Sequence, residues 1–168
     1  MRNPFAYGNA WFVDHLDIVD NADAEIAALN TINPLKTAVV DKRFEDQVKG
    51  FTPSLDSTAT IVLDSYRPNK LVYTTKANSK QLAVFSEIYY QPGWNATIDG
   101  KPAPHFRADW ILRAMIVPEG EHQVVFEFKP QGYITAAYIS SFSSFFILLL
   151  LIAAIGYSFW KMKKAEKE

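Results

Sequence analysis

The 168-residue sequence contains no cysteine, which excludes disulfide bonds and thiolate metal sites. Its formal net charge is only -1, so it lacks the excess of lysine and arginine that a nucleic-acid surface needs. His15, His105 and His122 are far apart in the sequence, and no two of them have metal-ligand spacing. Nucleophile-elbow, phosphate-loop and dinucleotide fingerprints are missing as well. We therefore predict no metal site, no cofactor and no nucleic-acid partner, and we can name no catalytic residue.

Charge is also absent from a long C-terminal stretch. Lys129 and Lys161 are consecutive charged residues, and 142–160 between them is mostly apolar. At about 1.5 Å per residue these roughly 19 residues make a helix of about 29 Å, the thickness of a bilayer's hydrocarbon core. A buried helix of a soluble protein normally keeps a polar stripe, and this segment has none. The pattern predicts a transmembrane helix, with its lead-in, over residues 133–160.

Basic residues around this helix predict its orientation. Lys161, Lys163 and Lys164 follow the span, whereas Lys129 is the only basic residue in the corresponding stretch before it. Basic residues next to a span stay on the cytoplasmic side. We expect a cytoplasmic tail over 161–168 and an extracytoplasmic domain over 1–132. Because the first residues lack the pattern of a signal peptide, we also expect this chain to be the C-terminal piece of a longer membrane protein.

About 130 residues precede the span, a common size for one domain. Alternation of apolar and polar residues predicts successive strands, and Asp99-Gly100 predicts a tight hairpin. A short helix is expected after the N-cap Asn21, with Ile26 and Leu29 on one face, and residues 42–56 are expected to be loop. The predicted fold class is mainly β: an antiparallel β-sandwich with one short N-terminal helix, followed by a single C-terminal transmembrane helix.

Four blocks of sequence carry a family resemblance: NPFAYGNAWFV at 3–13, FSEIYYQPGW at 85–94, TIDGK at 97–101 and LRAMIVPEGEH at 112–122. In this order, ahead of a final span, they resemble the C-terminal region of the YfhO family of large bacterial membrane proteins. That family is similar to C-type-fold glycosyltransferases, which use lipid-linked sugars and carry their catalytic acids in a multi-span part. The resemblance implies a place in the bacterial inner membrane, with upstream transmembrane segments or a neighbouring membrane subunit as partners. It also implies a non-catalytic accessory role in glycosylation of envelope polymers or lipids.

Glu87, Tyr89, Tyr90 and Trp94 form the densest polar-aromatic group and are candidates for holding a glycan or a lipid-linked sugar. Sugars stack their apolar faces on aromatic rings while a carboxylate accepts their hydroxyl hydrogen bonds. Core packing is the alternative, because Trp94 is in phase with the apolar residues of its own strand. An exposed aromatic row beside Glu87 would favour sugar binding. Burial of the three rings would favour a structural or protein-interaction domain that binds no sugar.

Arg107 and Arg113 are candidates for contact with lipid head groups or with the phosphate of a lipid carrier, since guanidinium groups bind phosphate in a bidentate way. The alternative is pairing with Asp109 or Glu119 at the surface. Both interpretations stay open at the level of the sequence.

Overall fold

The structure is a computed structural model that describes residues 7–165. Residues 1–6 and 166–168, which include the start of the first resembling block and the end of the predicted tail, lie outside the described part. The chain divides into two compact units between Lys129 and Pro130. The second unit contains one long helix, α3 (Gln131–Ala165).

The first unit is rich in strands. Its elements are, in chain order, β1 (Ala10–Val13), β2 (His15–Val19), α1 (Ala22–Ala28), β3 (Thr37–Asp41), a 3-10 turn (Lys42–Phe44), α2 (Glu45–Val48), β4 (Thr60–Arg67), β5 (Lys70–Ala77), β6 (Gln81–Ile88), β7 (Trp94–Ile98), β8 (Lys101–Pro102), β9 (Phe106–Ala108), β10 (Leu112–Val117) and β11 (Gly120–Phe128).

Two antiparallel sheets form the body of this unit. One has the strand order β1-β6-β10-β9 and the other β4-β5-β11-β7-β8, while β2 and β3 form a separate parallel pair. The mainly β, antiparallel fold with a short helix near its start is therefore confirmed. The segment 10–19 forms two strands that divide at Asp14: the amide groups of Asp14 and His15 both donate to the Lys36 carbonyl, which directs β2 to β3.

Aromatic rings fill the space between the two sheets. Phe85 of β6 meets Tyr73 of β5 and Phe126 of β11 edge-on, with ring centroids 5.0 Å and 4.9 Å apart. All three side chains are buried. Each such aromatic pair contributes about 0.5–1.5 kcal/mol beyond the burial of its area, so this cluster holds the sandwich together.

Strand β6 is buried on both faces, as its unbroken apolar run predicts. Phe85 points towards the second sheet, while Leu82 and Val84 pack with Val40 and Val48 on the opposite side. The four-stranded sheet is thus a middle layer, covered on its outer face by β3 and the short helices.

Two local expectations need correction. The loop expected at 42–56 begins instead with the 3-10 turn and α2, because the Asp41 carboxylate caps the turn by accepting the Arg43 amide at 2.9 Å. The two-residue and three-residue strands β8 and β9 are too short to show a period. Helix α1 does begin after the N-cap Asn21, but Ile26 is exposed and Glu25 is fully buried. Glu25 faces inwards because it has a buried cationic partner, described below.

Candidate functional site

The four polar-aromatic residues lie where β6 ends and β7 begins, but they do not form one row. Tyr89 packs edge-on against Phe44 and His105, each with its ring centroid 5.6 Å away. Tyr90 is exposed, whereas Glu87, Tyr89 and Trp94 are half-buried. The arrangement therefore matches neither the continuous exposed row nor the complete burial that would have separated the two interpretations.

Trp94 is the member of this group that lines a groove. The groove is open and has a volume of about 510 Å³. Its lining combines the indole with amide and hydroxyl side chains, prolines and an imidazole: Gln47, Gln91, Trp94, Asn95, Ala96, Thr97, Pro102, Ala103, Pro104 and His105. One aromatic face surrounded by neutral donors and acceptors suits a ligand with apolar C–H faces and many hydroxyls.

Arg113 packs against Trp94 but does not itself line the groove. Its guanidinium carbon lies 4.0 Å from the centre of a Trp94 ring, and its Nε donates to the Ile88 carbonyl at 3.0 Å. The side chain is buried, and burial lowers the pKa of Arg113. In the described part of the chain Arg113 makes no ion pair with Asp109 or Glu119. These contacts place the guanidinium where it restricts the orientation of the tryptophan.

Arg107 belongs to a buried ion network that sequence reasoning missed. Its Nη2 contacts Glu25 Oε2 at 2.6 Å and Asp41 Oδ2 at 3.5 Å, and Arg43 contacts the same Asp41 oxygen at 2.7 Å. Both carboxylates are fully buried. The hydrogen bond from Arg43 lowers the pKa of Asp41. The network joins α1, β3, the 3-10 turn and β9, and the partners expected from the sequence, Asp109 and Glu119, take no part in it.

The same network holds the turn between β9 and β10. Glu25 Oε1 accepts the Trp110 amide at 2.8 Å, and the Ile111 amide donates to the Asp109 carbonyl at 2.8 Å. With φ at +70° for Trp110, this bond closes a γ-turn of the rare positive-φ kind. Burial raises the pKa of Asp109 to about 6, while its Oδ1 accepts the Val39 amide. The turn displays the Trp110 side chain outwards, 42% exposed.

Histidines and carboxylates elsewhere have local partners. His122 pairs with Asp99 at 2.6 Å, and this hydrogen bond raises the pKa of the imidazole. Burial lowers the pKa of His105 to about 4, so its ring is neutral at pH 7. Asp64 accepts a hydrogen bond from Thr74. Among residues 7–165, no three His, Asp or Glu side chains converge as a metal site.

Helix α3 contains the apolar segment. Residues Thr135–Met162 are long and apolar enough to cross a membrane, and none of their most apolar window is buried. The predicted apolar helix is thereby confirmed. Lys161, Lys163 and Lys164 lie in its last turns.

A family model described as "Bacterial membrane protein YfhO" matches residues 45–140, which is more than half of the chain. The chain belongs to the YfhO family. No curated protein and no solved structure is significantly similar to it. The match extends from α2 into α3, so it includes the groove, Trp94 and Arg113. Membership of a membrane-protein family, together with the apolar helix, makes this YfhO protein a membrane protein in contact with a lipid bilayer.

Proposed function

We propose that this YfhO-family chain is a non-catalytic, membrane-anchored accessory module, which positions a glycan or a lipid-linked sugar for glycosylation of envelope polymers or lipids. The observation that carries the proposal is the groove beside Trp94. An indole face in a lining rich in amides has the chemistry of a sugar site. Arg113, which is buried, packs its guanidinium 4.0 Å from the centre of the same indole ring and so restricts its orientation.

The proposal places the β-rich unit outside the bacterial inner membrane. Its support is the charge asymmetry across α3, where Lys161, Lys163 and Lys164 stand at one end and Lys129 alone before the other. The transferase chemistry is assigned to upstream transmembrane segments of a longer protein or to a neighbouring membrane subunit, since we find no catalytic constellation among residues 7–165.

Fluorine NMR of the full chain in lipid nanodiscs tests sugar binding directly. The sequence has four tryptophans, so 5-fluorotryptophan gives few signals, and the Trp94→Phe variant assigns the one from Trp94. Hexose and N-acetylhexosamine oligosaccharides should shift the Trp94 resonance and leave that of Trp110 in place. Gln91→Ala and Asn95→Ala remove exposed groove amides, and each should weaken binding about tenfold, the value of one hydrogen bond.

The exposed residue Glu45, on α2, provides the matched control, because Glu45→Ala removes a polar side chain that does not line the groove. A Trp94 resonance unmoved by the whole panel, or moved equally in the Gln91→Ala variant, would contradict the proposal. An unmoved resonance would favour the rival function, a structural or protein-interaction domain that binds no sugar, whereas an equal shift in the Gln91→Ala variant would place the sugar outside the groove. The half-buried packing of Tyr89 and Trp94 is the observation that favours this rival.

A further inference from the structure

The beginning of β1 and the end of β11 lie at the same end of the sandwich. The register pairs Phe128 with Trp94, and the Lys129 amide donates to the Gly93 carbonyl, so β11 finishes where β7 begins. The short connection 89–93 brings the end of β6 to the same place, where Ile88 pairs with Leu112. We call this end, formed by Ala10, Arg67, Ile88, Trp94, Leu112 and Phe128, the exit end.

Exposed aromatic side chains in the described part of the first unit, residues 7–129, are confined to the exit end. Among residues 7–129, every aromatic side chain of the exposed class lies here: Tyr7, Tyr66, Tyr90 and Trp110. Ile88, 67% exposed, pairs with Leu112, and the neighbouring Ile111, 44% exposed, accepts the Tyr89 amide through its carbonyl. Large apolar side chains exposed elsewhere, such as Leu55 and Val62, are aliphatic. Tyrosine and tryptophan combine an apolar body with a polar tip, which suits the boundary between lipid and water.

The Trp110 side chain is held outwards at a cost. A non-glycine residue with a positive φ in a γ-turn is strained, and the Glu25 carboxylate keeps this turn in place by accepting the Trp110 amide. Strain of this kind, maintained by a buried ion network, indicates that the position of the side chain matters.

Three basic residues, Arg67, Lys70 and Lys129, lie at the exit end, together with two half-buried acids, Glu87 and Glu127. Arg67 is exposed and makes no ion pair within the described residues, and Lys70 begins the next strand. Lys129 pairs with the one acid of the β11 terminus, Glu127, at 2.9 Å. Basic side chains near a membrane surface attract anionic lipid.

The length of chain between the exit end and the candidate span restricts what the exit end can meet. Only residues 129–134 separate Phe128 from Thr135, where the candidate span begins. Six residues cover at most about 20 Å even when fully extended, and part of this segment is already helical. The exit end is therefore tethered within reach of the head-group layer.

We propose that the exit end is a bilayer-contacting surface, on which Tyr7, Tyr66, Tyr90 and Trp110 lie in the lipid head-group layer. The aromatic rings provide the apolar contact, and Arg67 and Lys70 favour anionic head groups. This surface is distinct from the groove lining apart from Trp94, so it stands whether or not the groove binds sugar.

Site-directed labelling tests the surface cleanly because the chain has no cysteine of its own. Ile88→Cys and Leu55→Cys create single attachment points at two exposed aliphatic residues, 67% and 77% exposed. Each full-length variant, with a fluorophore on the cysteine, is placed at one chain per nanodisc containing lipids brominated near the head group. The label at position 88 should lose fluorescence to bromine quenching, and the label at position 55 should not.

A second pair of variants examines Trp110. In the Ile88→Cys background, Trp110→Ser should reduce the quenching, while Val62→Ser, which removes an exposed aliphatic side chain elsewhere, should leave it unchanged. Absence of quenching at position 88 would overturn the proposal, and a protein partner would then be the better occupant. Equal quenching at positions 88 and 55 would also overturn it, because the contact would not belong to the exit end.

Discussion

Removal of the Glu25 carboxylate should destabilise the β-rich unit far more than removal of an exposed acid. Glu25 is fully buried and accepts two hydrogen bonds, from Arg107 at 2.6 Å and from the Trp110 amide at 2.8 Å. Breaking a buried pair leaves an uncompensated charge and costs about 3–5 kcal/mol. For a unit of this size that loss lowers the melting temperature by about 10–20 °C. The measurement is thermal unfolding of full-length Glu25→Ala in nanodiscs, followed by tryptophan fluorescence.

Two further variants identify the cause of the loss. Glu25→Gln keeps an oxygen that can accept the Trp110 amide and removes only the charge, so its cost should be smaller, about 1–3 kcal/mol. The double variant Glu25→Ala/Arg107→Met removes the orphaned guanidinium and should recover part of the stability. Glu119→Ala is the control, since this acid is exposed and should change stability by no more than about 0.5 kcal/mol. A Glu25→Ala melting temperature within error of this control would refute the role given to the network.

Four other predictions can be tested. Burial raises the pKa of Asp109 to about 6, so ionisation of this carboxyl lowers the free energy of unfolding as pH rises from about 4 to 6. At pH 7.5 the Asp109→Asn variant should therefore be more stable than the original protein, by up to about 3 kcal/mol. Thermal unfolding should show this difference, and it should show none below pH 4. His105 has the opposite pH dependence, because burial lowers its pKa to about 4 and the free energy of unfolding falls as pH drops below about 6.5. The His105→Phe variant should not show this loss of stability at acid pH. A stability–pH profile equal to that of the original protein would contradict the prediction. Gly100→Ala should cost about 1–2 kcal/mol in melting experiments, because Gly100 has a φ of +76°, and a neutral result would contradict the turn. Protease added to intact spheroplasts should remove the β-rich unit and spare a C-terminal tag, whereas digestion of the tag alone would invert the orientation inferred from Lys161, Lys163 and Lys164.

Elements set by local pattern could be predicted from the sequence. The Asp99-Gly100 hairpin is confirmed, with φ values of +49° and +76° at its two central residues, as a two-residue turn of this type requires. The N-cap of α1 is confirmed as well, since Asn21 Oδ1 accepts the Ala24 amide at 2.9 Å. Both depend on residues within four positions of one another, and an apolar helix such as α3 likewise needs no distant partner to be recognised.

Features that depend on distant partners could not be predicted. Glu25 and Arg107 are 82 residues apart, and nothing in either local pattern shows that they meet. An acid among alanines on a short helix usually indicates a solvent-facing side, and the local pattern puts Ile26 and Leu29, not Glu25, together on the apolar face. The one available signal was Asp41, an acid that ends the apolar strand β3 and therefore needs a cationic partner once the strand is buried.

The candidate site shows the same division between local and distant information. Sequence reasoning identified Trp94 and its neighbours because aromatic and acidic residues cluster there along the chain. It could not place Gln47 and His105 beside Trp94, because α2, the β8–β9 connection and β7 meet only in three dimensions. Nor could it pair Arg113 with the indole, since β10 and β7 belong to different sheets that meet only in the folded unit.

The position of Trp94 connects the two proposals. Trp94 lines the groove and also pairs with Phe128 at the exit end, so one edge of the groove lies at the end proposed to contact the bilayer. A lipid-linked sugar presents its first sugar units at that level, within the head-group layer. A soluble polymer would have no reason to prefer this edge over the opposite one. The two proposals together therefore favour a lipid-linked sugar over a free oligosaccharide as the groove's ligand, and they require the linked form to bind more tightly in nanodiscs than the same sugar in solution.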